Sequence, residues 1–486
     1  MPRIPGTKTG RNSELGLLLF AMVIVALFYV TVEMHQLDTV TSTFWVPPLL
    51  LGVLFVGLHF VVRFAAPHAD PVLIPTVALI NGLGVAFQRR LDIENSLANK
   101  IPLPGTFSGI SGKQLLWTLL ALILAAGLLL IVRDHKIVSR YAYTLGLVGI
   151  VLVMLPAVLP ASISEINGAR LWIRFGNSFS IQPGEFAKLA LVSFFAYYLV
   201  RKREVLSLAS RRFLGIDFPR GRDLGPVVTV WLLSLLVLVF EKDLGTALLY
   251  FGLFVVTLYV ATERASWLII GLVMFFGGVY VAYLLGEAVG GPFLNFYDRA
   301  SVWLDPFDPE YYNRKFGSSF QLVQGLLGLG TGGMFGSGPG AGSPFQVPEV
   351  RTDFIFAGMG EEIGLFGLAA LLICYLLVVE RGLRAALGVR DSFGKLVAGG
   401  MAFTLGLQVF VILGGITGLI PLTGQTTPFL SAGGSSLMAN WLLIAMLLRI
   451  SDAGRKPAAG GPATPATGPK QPPAQLHGAM TEVIKP

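Results

Sequence analysis

Apolar residues run along this chain in long unbroken stretches, not in the strict alternation of strands or the narrow stripe of a surface helix. Runs of about twenty such residues between short polar breaks predict helices that cross a bilayer. Twelve are expected, near 14–34, 44–66, 70–88, 114–133, 141–161, 184–200, 225–241, 245–262, 266–286, 353–379, 396–420 and 429–449. The first follows a basic N-terminus and reads as a signal-anchor. The short pair 225–241 and 245–262, split by Lys242 and Asp243, is either a hairpin or a broken helix. Two intervals stand out, 162–183 and 287–352, and the second is far longer than a connector needs. The expected fold class is all-α: a polytopic membrane helix bundle.

Composition agrees. Only 13% of the 486 residues are charged and 54% are hydrophobic, against roughly 25% charged in soluble proteins. Mean hydropathy is +0.70. The net charge of +8 reads as basic cytoplasmic loops, above all 201–223, and not as a nucleic-acid surface. That bias places both termini in the cytoplasm and turns 162–183 and 287–352 outward. Cys374 is the single cysteine, which excludes an intrachain disulfide and a thiolate metal site. The five histidines show no HExxH spacing, and no GxxxxGK[ST] loop supports an ATP-driven pump. The Pro/Gly/Ala-rich tail, 453–486, is expected to be disordered.

Carboxylates inside spans are functional candidates, because hydrocarbon disfavours charge. In "VPEVRTDFIFAGMGEEIG", 347–364, Asp353 opens the tenth span. It either caps that helix or faces protein or water, since Ala357, Gly360, Gly364 and Gly367 line small residues behind it. Glu361 lies about 12 Å farther along a helix, rotated by about 80°; Glu362 points elsewhere, as a structural partner. In "NGARLWIRFGNSFSIQPGEFAKLALV", 167–192, Arg170 and Arg174 precede a turn and Pro183 suits a first helical turn. Glu185 and Lys188 then stand three apart on one face. They form either a plain ion pair that admits Lys188 to the membrane, or part of a basic mouth for phosphate. Asp243, in "FEKDLGTALL", closes a turn, orients Lys188, or holds a divalent cation. The glycine-rich stretch 318–346, with Gln321 and Gln324 on a shared face, is a flexible loop or a phosphate-cradling nest. Ser435 and Ser436, ahead of the last helix, satisfy backbone or pack against a neighbour.

Six stretches, "NGARLWIRFGNSFSIQPGEFAKLA", "KDLGTALL", "WLDPFDP", "GTGGMFGSG", "PEVRTDFIFAGMGEEIG" and "IPLTGQTTPFLSAGGSSL", together resemble the SEDS family (shape, elongation, division and sporulation proteins). They occur in family order. The resemblance implies a ten-helix core over 70–452, two added helices within 1–69, as in the RodA-like branch of high-GC Gram-positive bacteria, and a cytoplasmic tail, 453–486. It implies a peptidoglycan glycosyltransferase that polymerises lipid II, an undecaprenyl-pyrophosphate-linked disaccharide peptide, into a nascent glycan strand outside the membrane during cell elongation. A class B penicillin-binding protein is the implied transpeptidase partner. The family's essential carboxylate falls on Asp353, and the Glu and Lys of another motif on Glu185 and Lys188. The chain departs from the pattern at Gly184, Phe320, Gly325, Arg351, Ile412 and Ala432, none of them the expected base.

The chemistry suits these residues. A sugar hydroxyl of the acceptor attacks the anomeric carbon of the donor, and pyrophosphate leaves without a strong acid. Asp353 is expected to be the base. Arg170, Arg174 and Lys188 are expected on the pyrophosphate, with Mg²⁺ or Mn²⁺ but no organic cofactor. Glu185, Asp243, Gln321, Gln324, Glu361, Ser435 and Ser436 complete the expected substrate-binding set. A flippase for a lipid-linked precursor is the second reading; the gathering of polar groups on outward loops and the lack of an internal repeat count against it. A non-enzymatic scaffold is the third, and it would tolerate loss of Asp353.

Overall fold

The computed structural model describes residues 8–41, 44–166, 169–176, 179–206, 209–213, 216–219, 243–314 and 318–456, with isolated positions between 225 and 237. Eleven of the twelve expected spans are helices there: α1 (Lys8–Leu37), α2 (Val46–Ala65), α3 (Leu73–Asn99), α4 (Gly109–Ile131), α5 (Ala142–Val158), α6 (Pro183–Leu206), α7 (Leu244–Thr262), α8 (Ala265–Ala288), α11 (Ile355–Gly388), α12 (Ser392–Ile416) and α13 (Gly434–Arg455). Between α8 and α11 lie two shorter helices, α9 (Leu294–Leu304) and α10 (Phe320–Gly332). Most of the expected span 225–241, Lys242 and the tail from 457 lie outside the described residues. Among the described residues, eight helices are long and apolar enough to cross a membrane. The other three matched helices are α5, of 17 residues, and α3 and α6, which carry charged side chains. The protein is an integral membrane helix bundle.

Local sequence explains the helix starts. Pro47 and Pro48 sit in the first turn of α2 and Pro183 opens α6, where a missing N–H costs nothing. Asp243 caps α7 by accepting the Thr246 N–H at 3.0 Å, and Asp391 caps α12 through the Gly394 N–H at 2.7 Å. The last helix is the middle of the bundle. α13 is buried almost along its whole length and packs on α4, α11, α6 and α12; Trp441 is fully buried and donates to Asn81 on α3 at 3.1 Å. By contrast α8 keeps most of its apolar residues exposed, as a lipid-facing rim helix does. The added pair α1 and α2 packs on α3 and α4.

Two features depart from what the hydrophobic pattern suggests. α3 continues to Asn99, past the expected end near 88, because its polar residues are buried with partners: Gln88, Arg90 and Asp92 meet the long loop, and Arg89 meets Pro104 O and Glu33. The glycine-rich stretch is not a loop throughout: 320–332 is helix α10. Its glycines let it touch the segment carrying Asp353, since a Cβ at Gly332 would stand 2.1 Å from the Gly360 carbonyl oxygen.

The helix after Asp353 is interrupted. Gly364 has φ 66° and ψ −175°, which separates Ile355–Ile363 from the rest of α11. Backbone groups freed by the break pair with the 333–338 strap. Ser337 N donates to Glu361 O and Gly338 N to Glu362 O, both at 2.9 Å, while Leu365 N donates to Gly333 O at 2.9 Å and Phe366 N to Met334 O at 3.1 Å.

Candidate active site

Asp353 lies in a turn just ahead of α11 and is half-buried. Helix capping does not explain it. The cap position is Phe354, and no side chain caps that helix end. Its carboxylate instead accepts from Thr352 Oγ1 at 3.1 Å and, through a long contact of 3.4 Å, from Gln321 Nε2 on α10. The single Thr352 hydroxyl proton is shared with Glu349, whose carboxylate oxygen lies 3.0 Å from Oγ1. Asp353 and Phe354 line a small cleft; its other walls are Ile412, Gly415 and Ile416 of α12 and the 422–425 turn. Burial, with the nearby Glu349 charge, pushes the Asp353 carboxyl up to about 6; hydrogen bonds from its own backbone and Thr352, and the charge of Arg299, act in the opposite direction.

Two layers hold that turn. In one, Arg351 donates to Asp92 Oδ1 at 2.8 Å and Leu91 O at 2.9 Å, and its own carbonyl accepts from Gln88 at 2.9 Å and from Ala432 N at 2.8 Å. In the other, Ser431 Oγ donates to Thr352 O and accepts from Thr427 N. Arg351, one of the departures from the family pattern, thus ties the site to α3.

The 422–431 segment gathers most of the other polar groups. Gln425 Nε2 reaches both oxygens of Asp243, at 3.2 and 3.1 Å, and Thr246 Oγ1 at 2.9 Å. Asp243 also accepts from Thr246 N and Oγ1, so its acceptor positions are occupied within the protein. Burial raises the Asp243 carboxyl, with the Thr246 hydrogen bonds, Arg299 and Gln425 opposing. Lys188 does not point to solvent. Its Nζ donates to Glu185 at 2.6 Å, Gln408 at 3.0 Å and Asn440 at 3.3 Å, all four residues being buried. Three acceptors match three ammonium donors. Gln408 then donates to Thr426 O at 3.0 Å, which makes the Lys188 cluster a support beneath the segment.

The remaining expected residues scatter. Arg170 pairs with Glu165 at 3.3 Å and Arg174 donates to Glu165 O at 2.7 Å; both belong to a pair of short ribbons, Glu165–Ile166 with Ala169–Arg170 and Ile173–Phe175 with Phe179–Ile181. Ser435 Oγ accepts from Gln182 N at 3.0 Å, and Ser436 accepts from Asn440; both serve packing. Gln324 follows Gln321 one turn along α10. Glu361 accepts from Ser343 N at 2.8 Å and holds the long loop, not Asp353. Glu362 is fully buried with Arg90 and accepts from Gly340 N at 3.0 Å, the structural role its orientation suggested.

Sequence reading passed over Arg299 on α9. It donates through Nη1 to Leu422 O at 3.0 Å, and its charge acts on both Asp243 and Asp353. Its only signal was its place four residues before the family-like "WLDPFDP".

A helix bundle with a raised carboxyl at a cleft under its longest loop defines a polytopic membrane protein with a polar site at one end. A family model described as a cell cycle protein, covering FtsW, RodA and SpoVE, matches residues 71–456. The peptidoglycan glycosyltransferase RodA of Mycobacterium tuberculosis is 45% identical over 454 residues, 93% of each chain. That of Mycobacterium leprae is 45% identical over 458 residues, 94% of each. A chain from a peptidoglycan synthase complex that coordinates polymerisation and crosslinking aligns with a TM-score of 0.52 at 25% identity, covering 84% of this chain and 97% of that one. This protein belongs to the FtsW/RodA/SpoVE family, the SEDS proteins, and sits on its RodA branch.

Proposed function

We propose that this protein is a peptidoglycan glycosyltransferase that polymerises lipid II into glycan strands during cell elongation, with Asp353 as general base. Its relatives at 45% identity over nearly the full chain carry that activity in their names. The observation that carries the residue assignment is the Asp353 carboxyl. It lines a cleft, has a titration point near 6 and leaves the helix cap to Phe354. A base poised just below neutral pH is ionised in use yet still able to take a proton. Asp353 takes the proton of the acceptor hydroxyl, while Gln321 and Thr352 hold the carboxylate in place. The two polyprenyl chains of donor and acceptor lie in lipid beside the bundle, which accounts for a sugar polymerase built of membrane helices.

The site is assigned to the extracytoplasmic face and both termini to the cytoplasm, on the basic bias of 201–223. A class B penicillin-binding protein is the assigned partner, supported by the synthase complex among the related structures. The expected Mg²⁺ or Mn²⁺ has no ready protein site. Among the described residues no cluster of three His, Cys, Asp or Glu exists, and Asp243 is already engaged. A divalent ion is therefore assigned to the substrate's pyrophosphate, and no step here depends on it. The test is polymerisation of purified lipid II by wild type and Asp353→Asn protein, with glycan strands resolved by gel. New strands from the wild type and none from a folded Asp353→Asn support the reading. Flipping of lipid II without new glycosidic bonds would overturn it.

A further inference from the structure

Breaking the anomeric C–O bond leaves an electron pair and negative charge on pyrophosphate, and some cation must meet it. Of the cations that the sequence singled out, Lys188 is engaged elsewhere, and Arg170 and Arg174 stand on the ribbons, outside the 422–425 turn that walls the Asp353 cleft. Lys188 has its three donors on buried acceptors, and Arg170 and Arg174 bind Glu165 on the ribbons. Building on the glycosyltransferase reading, we propose that Arg299 is the residue that receives the donor's pyrophosphate, beside Asp353.

The position of the guanidinium supports this. Nη1 is spent on Leu422 O at 3.0 Å, which anchors Arg299 to the turn that walls the Asp353 cleft. The opposite edge, Nε and Nη2, has no protein hydrogen-bond partner among the described residues. That edge is the one with the fork geometry that matches two phosphate oxygens. Beside it stands Gly424 at φ +70°, where a Cβ would come 3.9 Å from Nη2. The turn is therefore bare backbone at the point where a phosphate would approach.

The helix that carries Arg299 is also held from the stretch just before that turn. Trp303 Nε1 donates to Gly418 O at 2.7 Å, and Asp298 is paired with Arg314 at 3.0 Å, so it does not compete for Arg299. The charged groups around the pair are Asp243 and Asp353, on which Arg299 acts, and Glu349 next to Asp353. A fixed donor aimed at developing charge needs no reorganisation during reaction. In the transfer the acceptor oxygen bonds to the anomeric carbon and its proton passes to Asp353. The C–O bond to pyrophosphate breaks, its electrons leave with the phosphate, and Arg299 balances that charge.

The full-length protein in nanodiscs, given lipid II, tests this with Arg299→Gln, Arg299→Lys and Asp353→Asn, and with inorganic pyrophosphate as competitor against sulfate at matched ionic strength. Arg299→Gln is expected to lower kcat by about 10²-fold and to weaken pyrophosphate inhibition at least tenfold. Arg299→Lys is expected to fall between. The acid limb of the pH–rate profile should move to higher pH in Arg299→Gln, because a positive charge that favours ionised Asp353 is gone. Polymerisation within twofold of wild type in Arg299→Gln overturns the proposal. So does lost activity with pyrophosphate inhibition and the acid limb unmoved, or a wild type that pyrophosphate does not inhibit. If Arg299→Gln does not fold, the Lys variant carries the same readouts. An active, folded Asp353→Asn would instead sink the base assignment itself, whatever Arg299 does.

Discussion

Under the proposed base assignment, the effects of Asp353's charge on folding and on catalysis run in opposite directions. A carboxyl whose titration point rises from 3.8 to about 6 on folding binds more protons folded than unfolded between those values. Stability then falls as pH rises through that window and stays lower above it. Replacing Asp353 by Asn removes the penalty. The variant should lose activity by about 10²- to 10⁴-fold while its melting temperature at pH 7.5 stays level or rises, a gain of no more than about 2 kcal/mol given partial solvent screening. Calorimetry in detergent beside the lipid II assay checks both halves. Wild-type rate should fall as pH drops through about 6, since only the ionised form accepts a proton. Lys188 predicts the reverse phenotype. Lys188→Met leaves Glu185 charged and buried and should destabilise by about 3–5 kcal/mol, whereas Glu185→Gln with Lys188→Met should recover most of that. The Glu185–Lys188 pair was readable from its three-residue spacing. Gln408 and Asn440 were not, because the contacts that complete the ammonium's shell come from 220 and 252 residues away. The same holds for Arg299, whose meaning depends on a turn more than a hundred residues distant.

Among the elements, length and apolarity located the spans, since bilayer thickness sets a minimum that few other sequences satisfy. They could not locate the end of α3, whose polar last turns are stabilised where Arg90 reaches Gly342 O and Asp92 pairs with Arg351 in the long loop. Nor could they show that 320–332 is helical. Glycine there lowers intrinsic propensity, and what stabilises the helix is close contact with Gly360. Gly332→Ala tests that contact. Its methyl would meet backbone at 2.1 Å and should cost about 1–3 kcal/mol, read as a drop in melting temperature, with activity falling too because Gln321 shifts away from Asp353. The stripe Ala357, Gly360, Gly364 and Gly367 suits either a closely approaching helix or a cavity wall, and at Gly360 it meets a close approach from Gly332. At Gly364 the same small residue serves another end, a backbone break that no hydrophobic period reveals.

Across the whole molecule, α1, outside the family-matched segment, reaches the long loop that bonds to the helix after Asp353. Gln36, at the end of α1, donates to Gly340 O at 2.5 Å, and a Cβ at Gly340 would stand 2.9 Å from His35 Cβ. Gly340 N in turn serves Glu362, which pairs with Arg90, and Arg90 donates to Gly342 O at 2.5 Å. Gly340→Val should wedge α1 from this loop and lower kcat several-fold with little change in KM, measured on folded protein in the polymerisation assay. An unchanged kcat would show that the added pair only anchors the chain. The break at Gly364 has a mechanical corollary. An unbroken rod from Gly388 to Ile355 would carry a tilt at its far end straight to the carboxylate. With the ladder of bonds interrupted, torque on the lower shaft is absorbed at that joint, and the upper piece follows the strap at 333–338. A signal that adjusts this enzyme has to arrive sideways, through the loops, because the shaft beneath has slack in it.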